Sequence, residues 1–554
     1  MIATLTDLCL RTIGENLKTL YSEVRHGLPT RFKEMILERL EDDQFTTPNL
    51  PYVQTGLFVS QLKRLHFSYN RKVTDTVLES IAATRCQLQY ILIEHCPKIT
   101  ERGLRALICN QRKLEHLQLE YAVKKDSGKF LQEISSPALQ TVSLALRFDS
   151  ESLEKKIIKN EISLLRNHKR IKKVALLHDM YQSRTSGIYD KHVKEIASIL
   201  GNNLESLELY GNVHITEDSF SAIASRCPQI KVFKTDLYEF EPKISHCFEI
   251  LSHGCRKLEE IYLRNADRFN SKPYNLSFDT RYYQLPTTLR KLTIDGNYVL
   301  QNQPLVFKPL VNLHTLEAPM TLFDSSSVGT VFSTFGKKLK ELKFRSDFNR
   351  KKTETIENKT VAAVVDHCTN LERLEIACMY DTSLNKLYQL FNDDSRACKL
   401  RKLLLNIHTE PAVNDFQAKY RQKEYLLTIA RKCENIIELE LETQTADDEL
   451  LCAIAEHCQS LRKLGLYGKY SIDEDIRITD RGLCEVALHC PLEYVIILCW
   501  ESSMVTGKGV MAVANCCPLV KRFSVITNRG FDRQSVEKLR KNTIERIYIT
   551  HANQ

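Results

Sequence analysis

Apolar positions recur along this chain in a short figure, L-x-x-L-x-L with conservative apolar replacements. It first occurs as Leu62, Leu65, Phe67, then as Leu88, Ile91, Ile93 and as Leu114, Leu117, Leu119, each copy 26 residues after the last. Further copies begin at Leu139, Ile171, Leu204, Ile230, Leu258, Leu289, Leu313, Leu339, Leu371, Leu400, Ile436, Leu461, Leu492, Val520 and Ile544, eighteen in all. The alternation inside each copy predicts a short strand, and the apolar run after it a helix packed behind that strand. A unit this small buries its faces only against its neighbours, so the copies form one interdependent array.

Three further positions repeat with the figure. Eight residues after the first apolar position stand Asn70, Cys96, Asn212 and Asn297, polar side chains suited to the backbone groups of a turning chain. The phrases VTDTVLESIA from Val73, ITERGLRAL from Ile99, ITEDSFSAIA from Ile215 and ITDRGLCEVAL from Ile478 read as helix starts. Each has Thr at the N-cap and acidic residues in the first turn. Cys86, Cys227, Cys255, Cys368, Cys433, Cys458, Cys490 and Cys517 precede the next strand by two or three residues. A thiol repeated at a helix-to-strand junction is expected to be a small buried apolar group, not a ligand or a redox centre.

The period, the cysteine position and the I-T-x-x-G-L phrase resemble the cysteine-containing class of leucine-rich repeats common in ubiquitin-ligase receptors. The resemblance implies an α/β solenoid, a horseshoe, over residues 58–554. Longer intervals, from Leu139 to Ile171, Ile171 to Leu204 and Leu400 to Ile436, imply inserted loops or longer helices, and polar runs at His178 to Lys191 and Arg345 to Lys359 fit that description.

Residues 1 to 45 lie outside the array. Leu5, Leu8, Cys9, Ile13 and Leu17 fall at helical spacing, with Thr4 as N-cap and Asp7 in the first turn. A second helix is predicted from Pro29 to Leu40 on the spacing of Phe32, Ile36 and Leu40, which makes a helical hairpin. The string Thr4-Leu5-x-x-x-Cys9-x-x-x-Ile13 resembles the box through which substrate receptors bind the elongin B and C adaptor. Leu28-Pro29-Thr30-Arg31-Phe32 resembles the cullin-2 box that accompanies it in the von Hippel-Lindau class. The resemblance implies that Thr4, Leu5, Leu8, Cys9 and Ile13 contact elongin C, and that Leu28, Pro29 and Phe32 favour cullin-2 with its RING subunit. Two alternatives stay open: an F-box receptor of a Skp-cullin ligase, and a plain interaction scaffold whose residues 1 to 45 are only a cap. The F-box fits less well, because it needs a longer three-helix unit and EDDQFTTPNLP after Leu40 reads as a loop.

Composition narrows the chemistry. The 554 residues carry 78 basic against 69 acidic side chains, a surplus of nine spread over a long surface, so neither nucleic acid nor a membrane surface is implied as a partner. No apolar run reaches the length of a membrane span and no secretory leader is legible, which places the chain in the cytoplasm, the nucleus or both, with its 18 cysteines reduced. No phosphate loop, nucleophile elbow or zinc motif occurs, so no catalytic residue, metal or cofactor is expected and the chain reads as non-enzymatic. Binding is expected on the concave face, formed by the variable positions of the strands. Tyr210, Tyr262, Arg264, Arg345 and Tyr467 are the candidate contacts there, with Trp500 at its rim.

Overall fold

A computed structural model of the chain describes residues 5–40, 42–120, 128–146, 150–178, 187–211, 213–237, 244–265, 274–276, 285–295, 298–300, 307–345, 354–408, 416–443, 445–468, 478–499, 503–527, 533–542 and 546–551. The chain divides into two compact units, the first of residues 1–270 and 281–289, the second of residues 271–280 and 290–554. Among the described residues no helix is long and apolar enough to cross a membrane.

The first unit opens with four helices, α1 (Leu5–Glu15), α2 (Leu17–Gly27), α3 (Thr30–Arg39) and α4 (Leu50–Leu57), with a 3-10 turn at Asp42–Phe45. The two helices of the predicted hairpin, α1 and α3, pack together, and α2 packs on α4. Gly14 lies at this contact, where a Cβ would sit in ordinary packing contact with Leu40 Cδ2 at 3.4 Å and Ile36 Cγ2 at 3.6 Å. The reading of the stretch after Leu40 as loop is corrected, since it holds the 3-10 turn and the start of α4, with Phe45, Val53 and Leu57 buried. The polar run around these apolar residues hides them, although Pro51 in the first turn of α4 is a helix-start signal. Leu17 is likewise not part of the first helix. It begins α2 and is buried with Val24, two turns further on.

Eight parallel strands follow in the first unit: Arg64–Ser68, Tyr90–Glu94, His116–Glu120, Thr141–Ala145, Lys173–His178, Ser206–Gly211, Val232–Leu237 and Glu260–Asn265. Among the described residues the second unit has ten strands of five or more residues: Lys291–Asp295, Thr315–Pro319, Glu341–Arg345, Arg373–Tyr380, Lys402–His408, Glu438–Glu442, Lys463–Gly468, Tyr494–Cys499, Arg522–Thr527 and Arg546–His551. Each of these strands begins two residues after the first apolar position of a sequence repeat. The register stacks like on like, so Leu65, Ile91, Leu117, Val142, Val174 and Leu207 form one buried column. Burying each such side chain contributes roughly 1.5–3 kcal/mol. The helices cover this side of the sheet. Phe220 in helix Glu217–Arg226 meets Phe233 edge-on at 5.4 Å, and Phe332 in helix Val328–Phe335 meets Phe344 at 6.5 Å. Each unit is thus an α/β leucine-rich-repeat array.

The repeated polar phrases link one repeat to the next. Thr479 caps helix Asp480–His489 by accepting from Arg481 N, while its own backbone N and hydroxyl donate to Asp448 of the preceding helix at 2.8 and 2.5 Å. Asp480 receives Thr506 in the same way at 2.7 and 2.5 Å, and Asp75 receives Thr100 at 2.7 and 2.6 Å. Asp190 takes Thr216 and also the Ser219 hydroxyl. Burial would raise the Asp190 pKa, but the Ser219 and Thr216 hydrogen bonds outweigh it and hold the carboxyl below its ordinary range. The glycine of the phrase leaves room for the carboxylate: a Cβ on Gly103, Gly482 or Gly509 would lie 2.5, 2.5 or 2.6 Å from an oxygen of Asp75, Asp448 or Asp480. Thr74 departs from the predicted cap, because its hydroxyl pairs with that of Thr76 at 2.7 Å.

The eight junction cysteines are all buried, and the thiols of Cys458, Cys490 and Cys517 reach back to the preceding repeat. Cys490 donates to the carbonyl of Cys458 at 3.5 Å and Cys517 to that of Ala487 at 3.5 Å. Burial pushes the Cys458, Cys490 and Cys517 thiols up to about 12, which keeps them protonated and unreactive. Asn70 Oδ1 accepts from Lys72 N and Val73 N, both at 3.0 Å, as its place after a strand requires. Asn212 and Asn297 lie outside the described residues. Two of the long intervals hold longer helices, Glu151–Asn167 and Phe416–Lys432. The third holds the short strand Ile188–Tyr189, paired in parallel with Val213–His214, and helix Asp190–Leu200. Most of the polar run from His178 and the start of that from Arg345 lie outside the described residues.

Candidate functional site

The residues expected to face a partner on the sheet occupy the columns between the buried ones. In the first unit Glu208, Lys234 and Tyr262 form one such column and Asp236 pairs in register with Arg264 in the next. Lys234 bridges Glu208 at 3.4 Å and Glu260 at 3.3 Å. The Tyr210 hydroxyl donates to Glu208 at 3.0 Å, and the Tyr210 and Tyr262 rings meet edge-on at 5.9 Å. Burial, and then the charge of Glu208, push the Tyr210 phenol upwards, so it stays a donor. Arg264 grips the fully buried Asp236 with two guanidinium nitrogens, Nε at 2.6 Å from Oδ1, and the other Asp236 oxygen also accepts from Gly211 N at 2.6 Å.

Arg264 is therefore committed to the array, while the half-buried rings of Tyr210 and Tyr262 present the contact area. Sequence reading missed Asp236 and Lys234. The signal lies in the repeats taken as columns, because Asp236 and Arg264 each stand six residues after the first apolar position of consecutive repeats.

In the second unit the Tyr467 hydroxyl donates to Glu440 at 3.1 Å, and Lys463 pairs with the same carboxylate at 2.7 Å. Burial and then Glu440 push this phenol up to about 12. Arg345 ends strand Glu341–Arg345, but its side chain is outside the described residues, as is Trp500 altogether. Among the described residues no group of three or more His, Cys, Asp or Glu is placed to hold a metal ion.

The second candidate surface is helical. Leu10 and Gly14 face inward from α1, and Cys9 on the same helix is exposed with Ile13 half-buried. The inward face is therefore carried by Leu10 and Gly14, not by the stripe through Cys9. Leu5 and Leu8 belong to α1, with side chains outside the described residues, where Thr4 also lies. Pro29 is the exposed N-cap of α3, and Leu28 and Phe32 flank it half-buried.

Solved structures similar to the chain include a two-protein complex and a leucine-rich-repeat protein. The crystal structure of a Rad7 and Elc1 complex in yeast matches 97% of this chain and 96% of its own at 15% identity and a TM-score of 0.33. The leucine-rich-repeat protein LegL7 from Legionella pneumophila matches 64% of this chain and 90% of its own at 13% identity and a TM-score of 0.30. Scores this low carry no functional weight. No protein-family model matches the sequence. The repeat geometry itself defines the fold: parallel strands in register, a helix-side apolar core and an open, polar sheet face.

Proposed function

We propose that the chain is a non-catalytic, cytoplasmic or nuclear substrate-recognition subunit of an elongin-cullin RING ubiquitin ligase. In this reading α1 docks elongin C with its partner elongin B, the start of α3 favours cullin-2, and the open sheet face holds a protein target. The observation that carries it is the division of α1: Leu10 and Gly14 anchor one face, and the Cys9 thiol of the adaptor-like string is left in solvent. Helix-in-groove recognition needs that position exposed.

Elongin B and C mixed with the full chain should co-purify with it, and Leu5→Ala with Cys9→Ala should abolish the association. Wild-type retention no stronger than that of the double variant overturns the proposal. Helices α2 and α4 remove the objection that this segment is too short for an F-box, so a Skp-type adaptor belongs in the same experiment; selective capture of that adaptor would favour the F-box alternative.

A further inference from the structure

In the second unit, a cleft of about 710 Å³ opens beside the turns that lead from helices into strands. Its lining includes Lys337, Lys338, Lys340, Lys399 and Arg401 against one carboxylate, Glu372. The backbone fixes this spacing. Lys340 N bonds the carbonyl of His314, Glu372 N that of Lys340, Arg401 N that of Glu372 and Ile437 N that of Arg401, all at 2.7–2.8 Å. Neighbouring steps of such a parallel ladder stand about 4.8 Å apart.

Elsewhere in these turns two cations share one carboxylate: Lys172 and Lys231 flank Glu205, and Arg462 and Lys521 flank Glu493. In the cleft five face one. Lys340 pairs with Glu372 at 2.7 Å, while Lys338 is held by Asn312 Oδ1 at 3.1 Å and Lys399 by Thr369 O and Asn370 Oδ1 at 3.1 and 2.9 Å. The ammonium of Lys337 and the guanidinium of Arg401 have no hydrogen bond or ion pair among the described residues.

We propose that this cleft binds a compact, multiply phosphorylated anion. Apart from Cys398 the lining residues are all polar or charged, and a cleft lined by one sign of charge focuses its field on a counter-ion. Lysine ammonium groups and the arginine fork are the usual partners of phosphate oxygens. The excess is local, since Ile437 follows Arg401 on the ladder, so dense charge fits better than an extended acidic segment. The site is independent of the ligase reading.

Inorganic tripolyphosphate is the probe, titrated calorimetrically into the full chain. Saturable one-to-one binding is expected, weakened roughly tenfold or more by Lys337→Ala, Lys399→Ala and Arg401→Ala together, since three charge-assisted contacts are lost. The same charge removed at Lys63, Lys113 and Lys169 should leave it unchanged, and circular dichroism would show both variants folded. Vesicles carrying a phosphorylated inositol lipid identify the source: binding them as tightly as the free anion points to a headgroup, and failure to do so to a soluble phosphate. Equal binding by the two triple variants, or hexaglutamate binding as tightly as tripolyphosphate, overturns the proposal.

Discussion

Gly482 shows how one residue type serves two repeats at once. It lies in the first turn of its own helix, and its backbone N donates to Asp448 of the previous helix at 3.2 Å. A methyl group there would meet the Asp448 carboxylate at 2.5 Å and Leu451 Cδ1 at 2.8 Å. The carboxylate cannot yield easily, because it also holds the backbone and hydroxyl of Thr479. Gly482→Ala should therefore destabilise the chain by roughly 1–3 kcal/mol, the usual cost of overpacking, although alanine is the better helix former. Gly329, where a Cβ meets nothing within 4 Å, is the control and should tolerate alanine. Urea unfolding of the two variants would measure the difference, and equal midpoints would refute this account. Half of the phrase was legible in one dimension. Thr479 reads as a cap from its place before Asp480, but that Asp480 also receives the next repeat's Thr506 shows only when residues 26 apart are set side by side.

At the scale of elements, strand Lys173–His178 runs under helix Glu151–Asn167 and buries His178 with two glutamate side chains. His178 lies 3.2 Å from Glu161 and 3.4 Å from Glu154, all three fully enclosed. Burial would lower the imidazole pKa, but the two carboxylates, Glu161 foremost, outweigh it and hold it at about 9. The native state thus binds a proton that the unfolded chain releases near its ordinary value, about 6.5. This contribution to stability is complete below that pH and is lost as pH rises to about 9. His192, in helix Asp190–Leu200, does the reverse. Its Nδ1 accepts from Tyr189 N at 3.1 Å, and burial, then the charges of Lys191 and His178, drive its pKa down to about 4. Stability should fall as pH drops from about 6.5 towards 4, because the unfolded chain then binds the extra proton. Thermal unfolding across pH 4–9 should peak near neutrality, and His178→Gln should flatten the alkaline limb while lowering the whole curve. An unchanged alkaline limb in that variant would contradict the assignment. The helix and strand here were readable from periodicity, and the cluster was not, because Glu154, Glu161 and His178 belong to different elements joined only by packing. Helices α2 and α4 were hidden for other reasons: α2 scatters its apolar residues among polar ones, and α4 is short and follows a polar run.

On the scale of whole units, one set of contacts recurs at successive steps, which makes neighbouring repeats interchangeable in a testable way. Asp448 holds Thr479 as Asp480 holds Thr506, and Cys490 reaches back to Cys458 as Cys517 reaches back to Cys490. Removing residues 461–491 would join Ser460 to Leu492, a residue of the same repeat position as Leu461. Strand Tyr494–Cys499 would then take the place of Lys463–Gly468 beside Glu438–Glu442, and Thr506 would meet Asp448 where Thr479 had been. Each new neighbour offers the groups the old one did, so nearest-neighbour coupling predicts a folded protein with a lower melting temperature. Removing only residues 461–468 takes out a strand and leaves its helix, so Leu439 and Leu441 lose their neighbours on one side and strand Glu438–Glu442 keeps only Lys402–His408 as a partner. That shorter deletion should cost far more of the cooperative unfolding transition than the longer one. Circular dichroism melts of both would decide it: if losing a whole repeat is as damaging as losing half of one, the units are not built from exchangeable steps.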